Sequence, residues 1–344
     1  MMPSVSICIP TYNGAFYLEE CLDSALAQTF SDFEIMIVDD QSTDQSHEIA
    51  QSYAARDPRI RVVRNSHNLG LVGNWNECVR LARGEYIKFL FQDDFLEPNC
   101  VEKMLAVCGA NTSLVLCKRD IIFEDESEGI RGTFLKDIQR YNMETIFLGR
   151  KVISPETLCK AALDNLGINF LGEPTSTLLH RSVFNRYGFF NSYLIGFCDL
   201  EYWIRVGTHT GLIYVPEVLA HFRRHRKGVT FLNEESRNFR VYIDKIICLH
   251  DFVFHPLYAP LRSYACRCQP SVNLNQLFAG KVKDAWTIAR KAAKDRSHPD
   301  PRRLQEMIET TRLFPGFRIV KKIPFSIRFG KFTWKIQDFL SNHF

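Results

Sequence analysis

The sequence predicts an α/β protein with a central, mostly parallel sheet flanked by helices and a helical C-terminal extension. Two observations carry this reading. Short β-branched runs alternate with amphipathic segments from Val5 to Cys117, and beyond about Asn233 the periodicity is helical and the strands stop. Alternation of the first kind folds as right-handed βαβ units on a parallel sheet.

The elements follow in order. Val5–Ile9 is apolar nearly throughout, as a strand buried on both faces must be. Phe16–Ala27 places Leu18, Cys21, Leu22, Ala25 and Leu26 at helical spacing, with Glu19 and Glu20 in the first turn, where the helix dipole favours acids. Glu34–Val38 is the second strand, and Ser42–Arg56 a helix with Ser42 or Thr43 as N-cap, broken by Asp57-Pro58. Arg61–Val63, Tyr86–Phe91 and Leu114–Cys117 are predicted strands, with helices over Gly73–Ala82 and Pro98–Ala110, the latter opened by proline. Glu124–Arg140 is polar and irregular and reads as a hairpin or mobile loop. Ser154–Leu166, Arg181–Tyr187 and Leu200–Val206 are predicted helices, and Thr175–Leu179 and Ile213–Ala220 strands.

Composition narrows the class. The 344 residues are 46% hydrophobic and 24% charged, as in ordinary globular chains. No run approaches the roughly 20 apolar residues that span a bilayer. The N-terminal MMPSVSICIP lacks a basic n-region, so a cytoplasmic protein is expected. The 11 cysteines are scattered through apolar segments without a C-x-x-C pair, which predicts reduced, buried thiols and no zinc site. The net charge of +4 is uneven: from Glu235 onward there are 20 Lys/Arg against 9 Asp/Glu, leaving 23 against 30 before it. An acidic front suits a bound cation. A basic rear suits an anionic partner, whether membrane surface, phosphorylated acceptor or nucleic acid.

In parallel sheets ligands bind at the carboxyl ends of the strands, and the unusual polar residues fall there: Thr11-Tyr12-Asn13, Asp39-Asp40 and Asp93-Asp94. Adjacent carboxylates at the end of a buried strand repel each other unless a cation such as Mg²⁺ or Mn²⁺ neutralises them. Aspartates are also common helix caps, and that reading stands beside the first for both pairs. No glycine-rich phosphate loop follows the first strand, which argues against nucleotidyltransferases and dinucleotide-binding enzymes.

Pro10-Thr11-Tyr12-Asn13, Val38-Asp39-Asp40-Gln41-Ser42-Thr43-Asp44, Ala82-Arg83-Gly84-Glu85-Tyr86 and Phe91-Gln92-Asp93-Asp94 together resemble, in order and spacing, the family 2 glycosyltransferases. The likeness runs from about Val5 to Thr230. It implies a single nucleotide-sugar-binding domain over 1–232, with 233–344 as the basic helical extension, and metal-dependent, inverting transfer from a nucleotide-diphosphate sugar to an acceptor hydroxyl. By position it places Pro10, Thr11 and Tyr12 on the nucleotide, with the Tyr12 ring on the base. Asp40 would read the base, Asp93 the ribose side, and Asp94 would bind Mn²⁺ or Mg²⁺ at the diphosphate. Two departures matter: Gln92-Asp93-Asp94 lacks a third acid, and Asn74-Trp75 stands where many members carry Ala-Arg, so Trp75 is expected to pack.

The second half is similar to the family's Glu-Asp…Trp…Arg stretch at Cys198-Asp199-Leu200-Glu201-Tyr202-Trp203-Ile204-Arg205, which implies Asp199 as general base. Glu201 and Arg205, at i and i+4, read as a structural ion pair. His225 falls where several relatives hold metal or diphosphate, although a lone histidine is as often a satisfied structural residue. Arg223 and Arg224 are candidates for phosphate. Gly172-Glu173-Pro174-Thr175 resembles an acceptor-facing loop, with Glu173 on acceptor hydroxyls, or is a turn before a strand. The implied partners are a nucleotide-sugar donor, with UDP ahead of GDP and dTDP, and a glycan or lipid-linked glycan acceptor. A non-catalytic binding module, or an enzyme whose acceptor is a polyprenyl phosphate and needs no base, are the rival classes. Phe314–Phe344 mixes Arg318, Lys321, Lys322, Arg328, Lys331 and Lys335 with aromatics and carries one acid, Asp338. That mixture suits peripheral binding to an anionic membrane rather than to nucleic acid.

Overall fold

The computed structural model describes residues 2–124, 132, 135–136, 138–235, 239–295 and 300–317. These form two compact units, Met1–Ser236 and Arg237–Phe344. In the first, β1 (Val5–Thr11), β2 (Phe33–Asp39), β3 (Ile60–Arg64) and β4 (Tyr86–Phe89) pair in parallel in the order β3-β2-β1-β4. β1 and β2 are buried along their whole length. The reason is coverage of both faces: Ile7, Ile9, Ile35 and Ile37 share one core with Leu18, Cys21, Leu22 and Ala25 of α1 (Ala15–Leu26), and on the other face Cys8 Sγ donates to Cys78 O (3.8 Å).

Beyond β4 the sheet is mixed. β8 (Thr177–His180) runs antiparallel between β4 and β6 (Leu114–Phe123). β9 (Leu212–Arg224) is parallel to β6, and the short β5 (Phe95–Leu96) and β7 (Val152–Ile153) pair with β9 antiparallel. Both long strands outrun their apolar cores. The sequence reading stops them at Cys117 and Ala220, where polar residues begin. Past a register shift at Lys118, Arg119 through Phe123 pair with Ala220 through Arg224, so backbone pairing carries the polar segment on toward the end of β4.

Two further elements depart from expectation. α2 spans Ser46–Ala54 and does not begin at Ser42 or Thr43. Asp44 Oδ1 accepts from Ser46 N (3.0 Å) and from Ser46 Oγ (2.5 Å), while the Ser42 hydroxyl is used elsewhere. β4 ends at Phe89, and the chain turns through Phe91–Asp94, with Asp94 N donating to Phe91 O (3.0 Å). Trp75, on α3 (Gly70–Leu81), is buried against Phe91 (ring centroids 4.8 Å apart) and Phe190 (5.5 Å), the packing role expected of it.

The antiparallel join of β4 to β8 contains a fully buried lysine. Lys88 donates through Nζ to the carbonyls of Phe89 (3.1 Å) and Thr175, replacing the water it has lost. The remaining helices of the first unit include α4 (Cys100–Ala106), α5 (Met143–Ile146), α6 (Pro155–Asp164), α7 (Ser182–Tyr187), α8 (Cys198–Thr210) and α9 (Val229–Glu235). The second unit contains α10 (Phe239–Phe254), α11 (Ala259–Arg267), α12 (Leu274–Lys294) and α13 (Arg302–Leu313). Phe254, Phe278, Phe314 and Phe317 gather around the His250 ring, and Trp286 Nε1 donates to Phe317 O (2.9 Å). No helix among the described residues is long and apolar enough to cross a membrane. The basic, aromatic stretch after Phe317 and most of the polar segment Glu124–Arg140 lie outside the described residues.

The Ala82-Arg83-Gly84 motif is explained by the sheet. Ser6 Oγ and Glu34 Oε1 accept from Arg83 N, and Ser6 Oγ accepts from Gly84 N (2.7 Å). A Cβ on Gly84 would lie 2.4 Å from Ser6 N and 2.6 Å from Val5 C, both backbone atoms that cannot move aside. Gly84→Ala should therefore lower stability by about 1–3 kcal/mol, the usual cost of overpacking. A urea titration checks this, and an unchanged midpoint would show that β1 can yield there.

Candidate functional site

The chain leaves β1 into a loop whose amides are all taken by side chains. Tyr12 N donates to Gln92 Oε1 (2.8 Å), Asn13 N to Ser42 Oγ (2.9 Å), Gly14 N to Ser46 Oγ (2.8 Å) and Ala15 N to Asp44 Oδ2 (3.1 Å). Asn13 takes a left-handed conformation (φ 50°), which asparagine tolerates, and its Oδ1 accepts from Thr43 N (2.8 Å). Pro10 and Thr11 are buried in β1, whereas Tyr12 is 49% exposed and presents its ring. Of the three residues expected on the nucleotide, only Tyr12 offers a surface to one.

Asp40 is 2% exposed and is already bonded within the chain. Oδ1 accepts from Asn65 Nδ2 (2.7 Å) and Leu69 N (2.8 Å), and Oδ2 from Gly70 N (3.0 Å). It thus satisfies amides at the start of α3, not those of the helix directly after it, where the capping reading places this pair. A carboxylate has about four lone-pair positions, so one on Oδ2 is left for another donor. Its neighbour Asp39 is fully buried and pairs with Arg64 Nε at 3.1 Å.

Asp93, Asp94 and His225 come together, from the turn after β4 and the residue after β9. His225 is 8% exposed, with Nε2 3.1 Å from Asp93 Oδ2 and its ring 4.8 Å from that of Tyr17. Asp94 is 1% exposed; its Oδ1 accepts from Arg223 N (2.9 Å) and its Oδ2 from the Thr175 hydroxyl. Burial, then the adjacent Asp93 charge, pushes the Asp94 carboxyl well above the usual range. Such a pair fits a cation, which would relieve both costs. Among the described residues no three acidic, histidine or cysteine groups enclose a common point. Asp93, Asp94 and His225 therefore do not by themselves assemble a metal site, and a cation at Asp94 would need further oxygens to complete its shell, as Mg²⁺ does.

The arginines expected at phosphate are engaged otherwise. Arg223 pairs through Nη2 with Glu20 (2.5 Å) and through Nη1 with Glu124, donates through Nε to Asp93 O (2.9 Å), and stacks on Tyr17 (4.8 Å). Arg224 is among the largest fully buried side chains. Extension of β9 to Arg224 accounts for both, because the strand turns one side chain into the acidic cluster and the next into the core.

Asp199 stands in the first turn of α8, 9% exposed. Burial, reinforced by the nearby Glu173 charge, raises its carboxyl to about 7, against bonds from Leu200 N (2.7 Å) and Asn169 Nδ2 (2.9 Å). Asn169 is the residue that sequence reasoning missed. Its Oδ1 accepts from Leu171 N (3.3 Å) and Gly172 N (3.0 Å), which turns its amide nitrogen to Asp199. Only proximity in the fold reveals it. Glu173 pairs with Arg119, whose Nη2 lies 3.2 Å from Oε1. Glu201 does form the expected ion pair: Arg205 Nη2 lies 2.9 Å from Oε2 in the buried interior and also donates to Phe189 O (2.8 Å).

An α/β sheet with carboxylates at its strand ends, and a separate buried aspartate, belongs to a chain whose relatives include glycosyltransferases. Residues 6–164 match the model of glycosyl transferase family 2. Over 233 residues the chain is 32% identical to the uncharacterized protein MT1568 of Mycobacterium tuberculosis, spanning 65% of this chain and 67% of that one. Over 104 residues it is 47% identical to the chondroitin synthase of Escherichia coli, 30% of this chain and only 15% of that enzyme. The fold is shared with S. aureus TarS 1–349 in complex with UDP (TM-score 0.55, 15% identity, 91% of this chain and 80% of that one). It is shared too with a mannosyltransferase from Pyrobaculum calidifontis in complex with GDP-Man and Mn²⁺ (TM-score 0.53, 17% identity, 92% and 83%). The chain belongs to glycosyl transferase family 2.

The Asp199 environment makes a stability prediction. A carboxyl whose folded pKa is raised binds its proton more tightly in the native state, so ionisation opposes folding. The fold loses stability as pH rises from about 4 toward 7, and the loss is complete above 7. Asp199→Asn should therefore raise the melting temperature more at pH 8 than at pH 4.5. A larger gain at the lower pH would overturn this account of the site.

Proposed function

We propose that the chain transfers a sugar, with inversion, from a UDP-sugar to a hydroxyl of a glycan or lipid-linked glycan. The observation that carries this is the division of acidic groups: Asp93, Asp94 and His225 at one place, and Asp199 with a carboxyl raised to about 7 at another. Inversion at an anomeric carbon calls for those two environments, one for the leaving diphosphate and one for the acceptor proton. Asp94, with Asp93 and His225, would hold Mn²⁺ or Mg²⁺, which supplies Lewis-acid stabilisation of the departing diphosphate. The exposed Tyr12 ring stacks on the base, and the remaining Oδ2 position of Asp40 accepts from it. Asp199 takes the acceptor proton as the new C–O bond forms and the bond to diphosphate breaks. Asn169 holds that carboxylate in place, and Glu173 binds acceptor hydroxyls. UDP in the TarS complex and Mn²⁺ with GDP-Man in the mannosyltransferase support the donor and metal. The basic, aromatic Phe314–Phe344 composition supports a site on the face of an anionic membrane.

Thermal shifts with UDP, GDP and dTDP in Mn²⁺ identify the nucleotide, since binding to the native state raises stability by mass action. EDTA should abolish transfer and Mn²⁺ restore it, and Asp94→Asn should be folded but inactive. Full activity in EDTA excludes the metal role. The base must be ionised, so kcat should fall as pH drops through about 7. Asp199→Asn should lower kcat at least about a hundredfold. Asn169→Asp, which replaces a donor by a like charge, should move the acid limb to higher pH, and a limb that stays put removes Asn169 from the mechanism.

A further inference from the structure

Gln92 occupies the position just ahead of the carboxylate pair, yet its side chain serves the loop after β1. Oε1 accepts from Tyr12 N (2.8 Å) and Nε2 donates to Tyr12 O (3.0 Å). Both backbone groups of one residue are thus held by one amide, as a neighbouring strand would hold them. A carboxylate accepts only and a hydrocarbon does neither, so this pairing demands an amide. The same double bond recurs where Asn76 grips Phe190, with Nδ2 to O and N to Oδ1 both at 3.0 Å.

The same placement of the Gln92 amide fills the space beside Gly14. A Cβ on Gly14 would lie 2.2 Å from Gln92 Oε1 and 2.3 Å from its Cδ. Gly14 has φ −108°, which any residue adopts, so a side chain there would meet the Gln92 amide, which would have to swing away. Tyr12 is held on one side by Gln92, while its neighbour Asn13 is tied to Ser42. The Tyr12 ring itself is 49% exposed.

We propose that Gln92 is a positioning residue for donor recognition: by clamping the Tyr12 backbone it sets that ring against the nucleobase, in register with Asp93-Asp94. This rests on the reading above that a nucleoside diphosphate occupies the site. Gln92 itself touches neither base nor metal in this role.

Calorimetry on the full chain in Mn²⁺ tests it, with UDP as one probe and inorganic pyrophosphate, which has no base, as the other. Gln92→Met removes both bonds at similar volume, and Gly14→Ala displaces the amide without changing it. Each should weaken UDP binding roughly fivefold to tenfold, the worth of one or two partly solvated hydrogen bonds, and leave pyrophosphate within about twofold. In a Tyr12→Ala background Gln92→Met should add nothing further for UDP, because the ring it positions is gone. Undiminished UDP binding in both single variants, equal losses for UDP and pyrophosphate, or additive losses with Tyr12→Ala would each overturn the proposal. A wild-type chain that binds none of UDP, GDP and dTDP would instead remove the underlying reading, and this inference with it.

Discussion

Four successive amides leaving β1 must find acceptors, and the site depends on where they find them. A helix start leaves several N–H groups without partners, and here the turn before α1 adds two more. Gln92, Ser42, Ser46 and Asp44 satisfy Tyr12 through Ala15 in order. Three of these acceptors come from the segment after β2 and one from the segment after β4. The three strand ends that could contribute to a ligand site are thereby tied to one another through one loop. The polar motifs owe their spacing to that tie as much as to any ligand: Ser42 and Asp44 bond backbone, and so do both oxygens of Asp40.

Two of the buried aspartates, Asp94 and Asp199, show how environment divides labour among like groups. Asp94 and Asp199 are similarly enclosed, and burial is the leading influence on each. Asp94 sits next to another carboxylate and accepts from Thr175 and Arg223 N; its natural complement is a positive charge. Asp199 has no acid beside it in sequence, accepts from an amide side chain and a helix amide, and feels Glu173 at longer range. Its carboxyl is left near neutrality, where a proton can come or go. The Glu201–Arg205 pair, bonded to Tyr187 and Phe189 carbonyls, ties α8 to the segment before it, so the first turn that carries Asp199 rests on a fixed helix.

The parallel half of the sheet was legible because β1, β2 and β4 are buried strands written as apolar runs, and the i, i+4 spacing announced the Glu201–Arg205 pair. Strand ends were not legible. β6 and β9 continue through Arg119, Asp120, His221 and Arg223 because they pair with each other, and no property of either segment alone encodes its partner. The same blindness sent Arg223 to phosphate, since Glu20 and Glu124 lie far off in sequence. Thr11 and Asp40 were placed on the nucleotide by the family resemblance; Thr11 is sealed in β1, and Asp40 spends three of its acceptor positions on Asn65, Leu69 and Gly70, which no sequence pattern announced. Asn169 had no motif to mark it, and Gln92 was read as a missing acid although its amide is what the loop uses.

Lys88 gives the junction between the parallel and mixed halves an observable of its own. An amine with no solvent-accessible surface is out of reach of acylating reagents while β4 and β8 remain paired. Its exposure requires loss of the bonds to Phe89 and Thr175 carbonyls, and Thr175 also donates to Asp94. The rate at which Lys88 becomes labelled, set against that of surface lysines such as Lys160, would therefore time the opening of this junction. It would do so in chemical units, on the native chain, at Thr175, whose carbonyl accepts from Lys88 and whose hydroxyl donates to Asp94.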